Sequence, residues 1–173
     1  MDLSAELDEL GRGLARQRRL IELTVNRLQL AAMVLASDEV PPERTSLTEV
    51  HRVLNHLHHE EMFRAVLVAG IGYALGTSIE PDLSELIACA PRAAAARLGE
   101  RRDRLVGAID AADLLATRLR QGVADAVGAA RPAPPVHGTL MVEVDPDSQA
   151  AGLARLAGRV VQPSLRRFVR PDD

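Results

Sequence analysis

"LSAELDELGRGLARQRRLIELTVNRLQLAAMVL", Leu3 to Leu35, carries apolar positions that recur by fours and threes: Leu3, Leu7, Leu10, Leu14, Gln17, Ile21, Thr24, Leu28, Ala31 and Leu35. Eight of these ten are apolar, which is the pattern of a heptad seam. A single helix about 50 Å long, at 1.5 Å per residue, is predicted. Asp2, Glu6, Asp8 and Glu9 fall in its early turns, where the helix dipole favours negative charge. Leu20, Leu23, Val25, Leu30 and Val34 widen the stripe, so the second half is expected to be buried on more than one side.

Working outward, "SDEVPPERTS" stops this helix, because two prolines cannot continue it. A second helix is predicted from the capping-box pattern "SLTE", Ser46 to Glu49, with Leu47, Val50, Leu54 and Leu57 on its buried face. Glycines 70, 72 and 76 should end it near Leu75. Asp82 and Glu85 form another cap pair, which opens a short helix over Leu83 to Ala88. Pro91 suits the first position of a third long helix, with a seam of Leu98, Leu105, Ile109, Ala112, Ala116, Leu119, Val123 and Ala126. Three of those eight are alanine, which lets helix axes approach closely. "AARPAPPVHG" is a linker. Beyond it, "TLMVEV" (Thr139 to Val144) has strand-like composition and Gln149 to Val161 reads as a short amphipathic helix.

Composition agrees with a helical core. Of the 173 residues 47% are hydrophobic but only 2% aromatic, so Leu, Val, Ile and Ala must fill the interior. A net charge of −3 gives no global field for nucleic acid or an anionic membrane. One cysteine excludes an internal disulfide. The longest uncharged run, Ala65 to Ile79, is shorter than the roughly 20 residues of a membrane span, and the acidic N-terminus is unlike a signal peptide. A cytoplasmic protein without stable membrane insertion is expected.

The stretch His51 to Glu61 holds four of the five histidines. His56, His59 and Glu60 lie at helical neighbour spacings and are the best metal candidates. A zincin pattern would need histidine where Phe63 stands, and no Glu-x-x-His for a di-iron bundle occurs. The cluster therefore reads as a polar helix face around buried Leu54 and Leu57. Cys89 reads as a buried, inert thiol. The arginines between Arg92 and Arg104 lack the stacking aromatics of a nucleic-acid site and read as a solvated face. No catalytic residue, metal ligand or cofactor is expected.

The order of elements resembles the FlgN family of flagellar type III export chaperones. "ALGTSIEPDLSELIACAP", Ala74 to Pro91, is similar to the "LG…(T/S)LxEL" passage that links the second and third helices there, and "LAS-D" at Leu35 to Asp38 is similar to the family's break after helix one. The likeness covers about residues 3–130. It implies a cytosolic chaperone that binds the C-terminal helices of hook-associated, hook–filament junction proteins. Such a chaperone keeps those subunits unassembled and hands them to the export apparatus. In physical terms this is helix-in-groove recognition, with substrate held by the C-terminal portion.

The expected fold is all-α: three long helices in an antiparallel coiled coil or bundle, a short connecting helix and a flexible C-terminal tail. Residues 1–131 form the bundle chaperone domain, and 132–173 a proline-linked, partly disordered tail. The candidate partner-binding residues are Leu115, Leu119 and Val123 near the end of the third helix, with Leu153, Leu156, Val160, Leu165, Phe168 and Val169 in the tail. The tail stripe, tied on through the linker and rich in arginine (Arg159, Arg166, Arg167, Arg170), is expected not to be essential to the bundle core. It either orders on a client helix, folds back over the empty groove, or is a disordered extension with no role. A ferritin-like metal-binding bundle and a self-assembling structural coiled coil are the alternatives, and homodimerisation is left open.

Overall fold

The computed structural model describes residues 2–36, 44–78, 80–129 and 146–170. Every regular element among them is a helix: α1 Leu3–Ala36, α2 Arg44–Leu75, α3 Leu83–Cys89, α4 Arg92–Ala129, α5 Pro146–Ala157 and α6 Pro163–Val169. The chain is all-α, with the three long helices and the short connector that the periodicity predicts. The strand-like "TLMVEV" and the proline-rich linker lie outside the described residues.

The α1 seam is the spine of the core. Leu7, Leu10, Leu14, Gln17, Ile21, Thr24, Leu28 and Ala31 are buried, and Leu3 and Leu35 pack partly buried against them. α2 returns antiparallel: Arg16 pairs with Glu60 at 3.0 Å, and Arg27 with Glu49 at 2.8 Å, so the partners descend as α1 ascends. α4 runs parallel to α1. Arg97 reaches Asp8 at 2.7 Å, and Arg101 crosses directly over Gly11, where a Cβ would meet its guanidinium. The widened stripe on the second half of α1 is only partly covered. Val25 is buried, but Leu23, Leu30 and Met33 are exposed, because no described element reaches that side.

Helix boundaries follow local chemistry. α2 begins at Arg44, two residues before the predicted start. The predicted start at Ser46 therefore lies inside the helix. At the other end Gly76 takes φ 68°, and Thr77 and Gly76 donate their N–H groups to the carbonyls of Gly72 and Tyr73. This paired closure needs a left-handed residue, which glycine supplies without strain. Asp82 caps α3 through Ser84 and Glu85 N–H, with Glu85 reaching back to the Asp82 N–H, as the cap pair predicts. Pro91 stands one residue before α4, and its carbonyl accepts from Ala95 N–H.

α4 buries Leu98, Leu105, Ile109 and Leu115 together with Ala94, Ala108, Ala112 and Ala116. The alanines let α1 on one side and α5 on the other come close. The described part of the tail departs from expectation. α5 and α6 are helical, and Leu153, Leu156, Val160, Leu165, Phe168 and Val169 are all buried in the same core as α1. The chain therefore does not divide at 131/132 into a complete bundle and a dispensable extension. α5 packs on α4 and α1, and α6 on α3 and α4, so the fourth layer of the bundle is the tail itself.

Two substitutions test this packing. Ala112→Leu overfills the α4 seam and should lower stability by about 1–3 kcal/mol in thermal melts. Gln17 is buried in the α1 seam with both amide atoms unpartnered among the described residues. Gln17→Leu should raise stability by about 1–2 kcal/mol, since it removes an unpaired buried amide.

Candidate functional site

α2 and α4 both face α6, and the contacts there are more polar than elsewhere in the core. Along α6 the apolar side chains Leu165, Phe168 and Val169 point inward at helical spacing. Arg166 and Arg170, one turn apart on the flank, meet α4. Arg166 donates through both terminal nitrogens to the two carboxylate oxygens of Asp113, and Arg170 Nη2 lies 2.6 Å from Asp110 Oδ1. Two-pronged arginine–carboxylate pairing fixes orientation as well as adding attraction. The order 113, 110 against 166, 170 sets α6 antiparallel to α4.

On the other flank α6 covers a buried ion pair of α2. Glu61 and Arg64 sit three residues apart with Nη2 to Oε1 at 3.4 Å, and both are buried. The Ser164 hydroxyl donates to Glu61 Oε1, and the Arg64 guanidinium stacks over the Phe168 ring at 4.4 Å. Gln162 Nε2 lies 3.5 Å from His58 Nδ1. Arg64 Nε is buried without a partner among the described residues. Burial works against both charges: it pushes the Glu61 carboxyl above the usual carboxylate range and pulls the Arg64 guanidinium below its own. The attraction between them offsets that cost only in part.

Of the residues singled out from sequence as partner-binding, Leu115 and the six tail residues share one buried core, and Leu119 packs against it. Leu115 is buried and Leu119 packs partly buried on the core, while Val123 is half-buried near the end of α4. The six tail residues fill the interior beside them. Spacing along the chain did not reveal the acids Asp110 and Asp113 that receive the tail arginines, nor the Glu61–Arg64 pair beneath α6. A weak signal was present: two acids three apart on α4 and two arginines four apart on α6 are complementary helix faces.

The histidine helix face is where the polar reading puts it. His51, His56, His58 and His59 are exposed around buried Leu54 and Leu57. His56, His59 and Glu60 line an open cleft of about 420 Å³ with Arg16, Arg19 and Leu20. Arg16 Nε holds both Glu60 oxygens, at 3.0 and 3.1 Å, and this bond together with Glu9 raises the arginine's pKa. The His59 Nδ1 lies 2.7 Å from the Asn55 carbonyl. Among the described residues no group of three or more His, Cys, Asp or Glu side chains is placed to hold a metal ion. Cys89, expected to be buried, is exposed. α3 turns Leu83 and Leu86 inward, and its last residue falls on the outer side. No helix of the described residues is long and apolar enough to cross a membrane.

Arg64→Ala should lower stability by about 3–5 kcal/mol, because it strands a buried carboxylate and removes the stack on Phe168. The double replacement Glu61→Leu with Arg64→Met should restore most of that loss in chemical denaturation, since a buried pair exchanged for apolar groups is often neutral or stabilising. Comparison with protein-family models, with curated proteins and with solved structures finds no match to this chain.

Proposed function

We propose that this chain is a helix-binding chaperone of the export type implied by its resemblance to the FlgN family, and that a client helix takes the place of α6 beside α2 and α4. The observation that carries the reading is the way the tail is seated. A short helix fills a groove between two long helices, and much of its polar contact is charged: Arg166 to Asp113, Arg170 to Asp110, Ser164 to Glu61, and Phe168 under Arg64.

This chemistry makes α6 exchangeable. A core closed by apolar groups alone loses its full burial energy when opened. Here opening also returns Glu61 and Arg64 to water, which recovers the desolvation that their burial costs. The net cost of lifting α6 is therefore smaller than its apolar contacts suggest. α6 presents an amphipathic face of Leu165, Phe168 and Val169 flanked by arginines, which is the kind of surface a client helix would have to imitate. Leu115 of α4 would lie beside the place of α6, and Leu119 and Val123 continue that side of α4 towards Leu153, Leu156 and Val160 of α5, so a client helix longer than α6 would reach them. Hook-associated proteins, through their C-terminal helices, are the clients of this proposal, the export apparatus is the receiver and the cytoplasm is the compartment. No catalytic step belongs to it.

The test loosens α6 without removing it. Ser164→Asp sets a carboxylate against Glu61, so it should raise the open fraction and hence the apparent affinity for an added helix. A peptide copying the C-terminal helix of a hook–filament junction protein should bind this variant about tenfold more tightly than the unaltered chain, equal to about 1.4 kcal/mol in calorimetry. Leu119→Asp should weaken the same peptide. Unchanged affinity in both variants would remove the groove from client binding.

A further inference from the structure

The last four turns of α2 carry an apolar face that no described part of the chain covers. Met62, Phe63, Val66 and Tyr73 are 59%, 50%, 75% and 88% exposed. Met62, Val66, Ala69 and Tyr73 follow one another by four, three and four residues, the spacing of a helix–helix seam, on the side of α2 away from buried Val68 and Ile71. Scattered exposed apolar residues need no explanation, but a contiguous stripe of this size marks an interaction surface.

Gly70 adds a separate observation. It sits inside the helix, where glycine costs roughly 1 kcal/mol relative to alanine. A Cβ built there meets nothing within 4 Å, so no contact among the described residues calls for glycine. The case of Gly72 is different, because its Cβ would lie 2.9 Å from the Pro81 ring. A bare backbone at Gly70, beside Ala69, is what a second helix needs to approach at the short end of the roughly 8–10 Å range.

We propose that this stripe is the two-fold interface between two copies of this chain, with the α2 helices crossing antiparallel at Ala69 and Gly70. The arrangement of sizes is self-complementary. Large residues stand at both ends and small ones in the middle, so antiparallel pairing about Ala69–Gly70 sets Tyr73 of each copy against Val66 of the other. Isologous pairing of this kind closes on itself and leaves no open end. Charge points the same way. From Ala65 to Ile79 the sequence has no charged residue, so the seam offers nothing to select a foreign helix by its flanking charges, and two copies leave no ion unpaired. Area is sufficient but small. The four large side chains expose on the order of 600 Å² per copy, and pairing buries at most about 1,200 Å², the lower bound for a specific interface. A micromolar, reversible dimer follows. This surface is separate from the α6 groove, so the inference goes beyond the client-binding reading and does not rest on it.

Sedimentation equilibrium of the full chain tests the proposal. The unaltered protein should pass from 18.6 kDa to twice that mass between low micromolar and submillimolar concentration. Val66→Glu and Gly70→Leu should each weaken the dimer more than tenfold. Gly70→Leu should do so while the melting temperature of the dilute protein stays the same or rises, because it improves helix propensity and meets empty space. In a Cys89→Ser background, Ala69→Cys should cross-link two copies under mild oxidation. Three results would overturn the proposal: a mass that stays at the monomer value throughout, a dimer unaffected by both variants, or a monomeric protein in which the same variants abolish binding of an added amphipathic peptide. The last would assign the stripe to a foreign helix.

Discussion

Everything in this fold depends on the α1 seam. A row of side chains from Leu7 to Ala31 at alternating four- and three-residue spacing has to be covered along its whole length, and a single partner helix covers only one flank of it. α2 covers one side antiparallel and α4 the other in parallel, and this up-down-up order leaves a trough between α2 and α4. The ends of the trough are set by local signals: the Gly76 closure of α2, the Asp82 cap of α3 and the proline before α4. Alanines along α4 make the trough shallow enough for a helix to lie in it. The tail is that helix.

The two flanks of the trough differ in chemistry, and the difference bears on function. On the α4 side the contacts are solvent-facing arginine–aspartate pairs, which add geometry more than energy. On the α2 side Glu61 and Arg64 are shut away from water by α6. Linkage gives that site a defined pH behaviour. The Glu61 carboxyl titrates above its ordinary value of 4.5 in the closed form. Its contribution to closure is thus fully present below that value and declines as pH rises through the raised one. This carboxyl accordingly makes docking of α6 firmest in mild acid and looser towards neutrality.

Much of the architecture could be read along the chain because its determinants are local. The heptad spacing of α1, the Asp82–Glu85 pair and the glycines ending α2 each act within a few residues, and each element stands where they put it. The histidines could be read for the same reason, since their spacing around Leu54 and Leu57 sets them on the outer face. What could not be read was settled between distant segments. Arg166 finds Asp113 across 53 residues, and Ser164 finds Glu61 across 103, and periodicity carries no information about such meetings. The tail looked like an extension because its own sequence, arginine-rich and set beyond prolines, shows no partner. Leu23 and Leu30 illustrate the converse: a wide apolar stripe predicts burial, but no described element covers them. Cys89 was placed inside by residue type, and one step of helix rotation put it outside.

The central claim is that α6 holds a place which a client helix takes. Amide hydrogen exchange of the full chain, with and without a peptide copying a hook-associated C-terminal helix, tests it most directly. The account predicts that peptide binding leaves the α1 amides between Leu10 and Leu28 protected, while the α6 amides after Leu165 exchange faster, as a displaced helix must. Binding that leaves α6 as protected as before, or protects it further, would contradict the account.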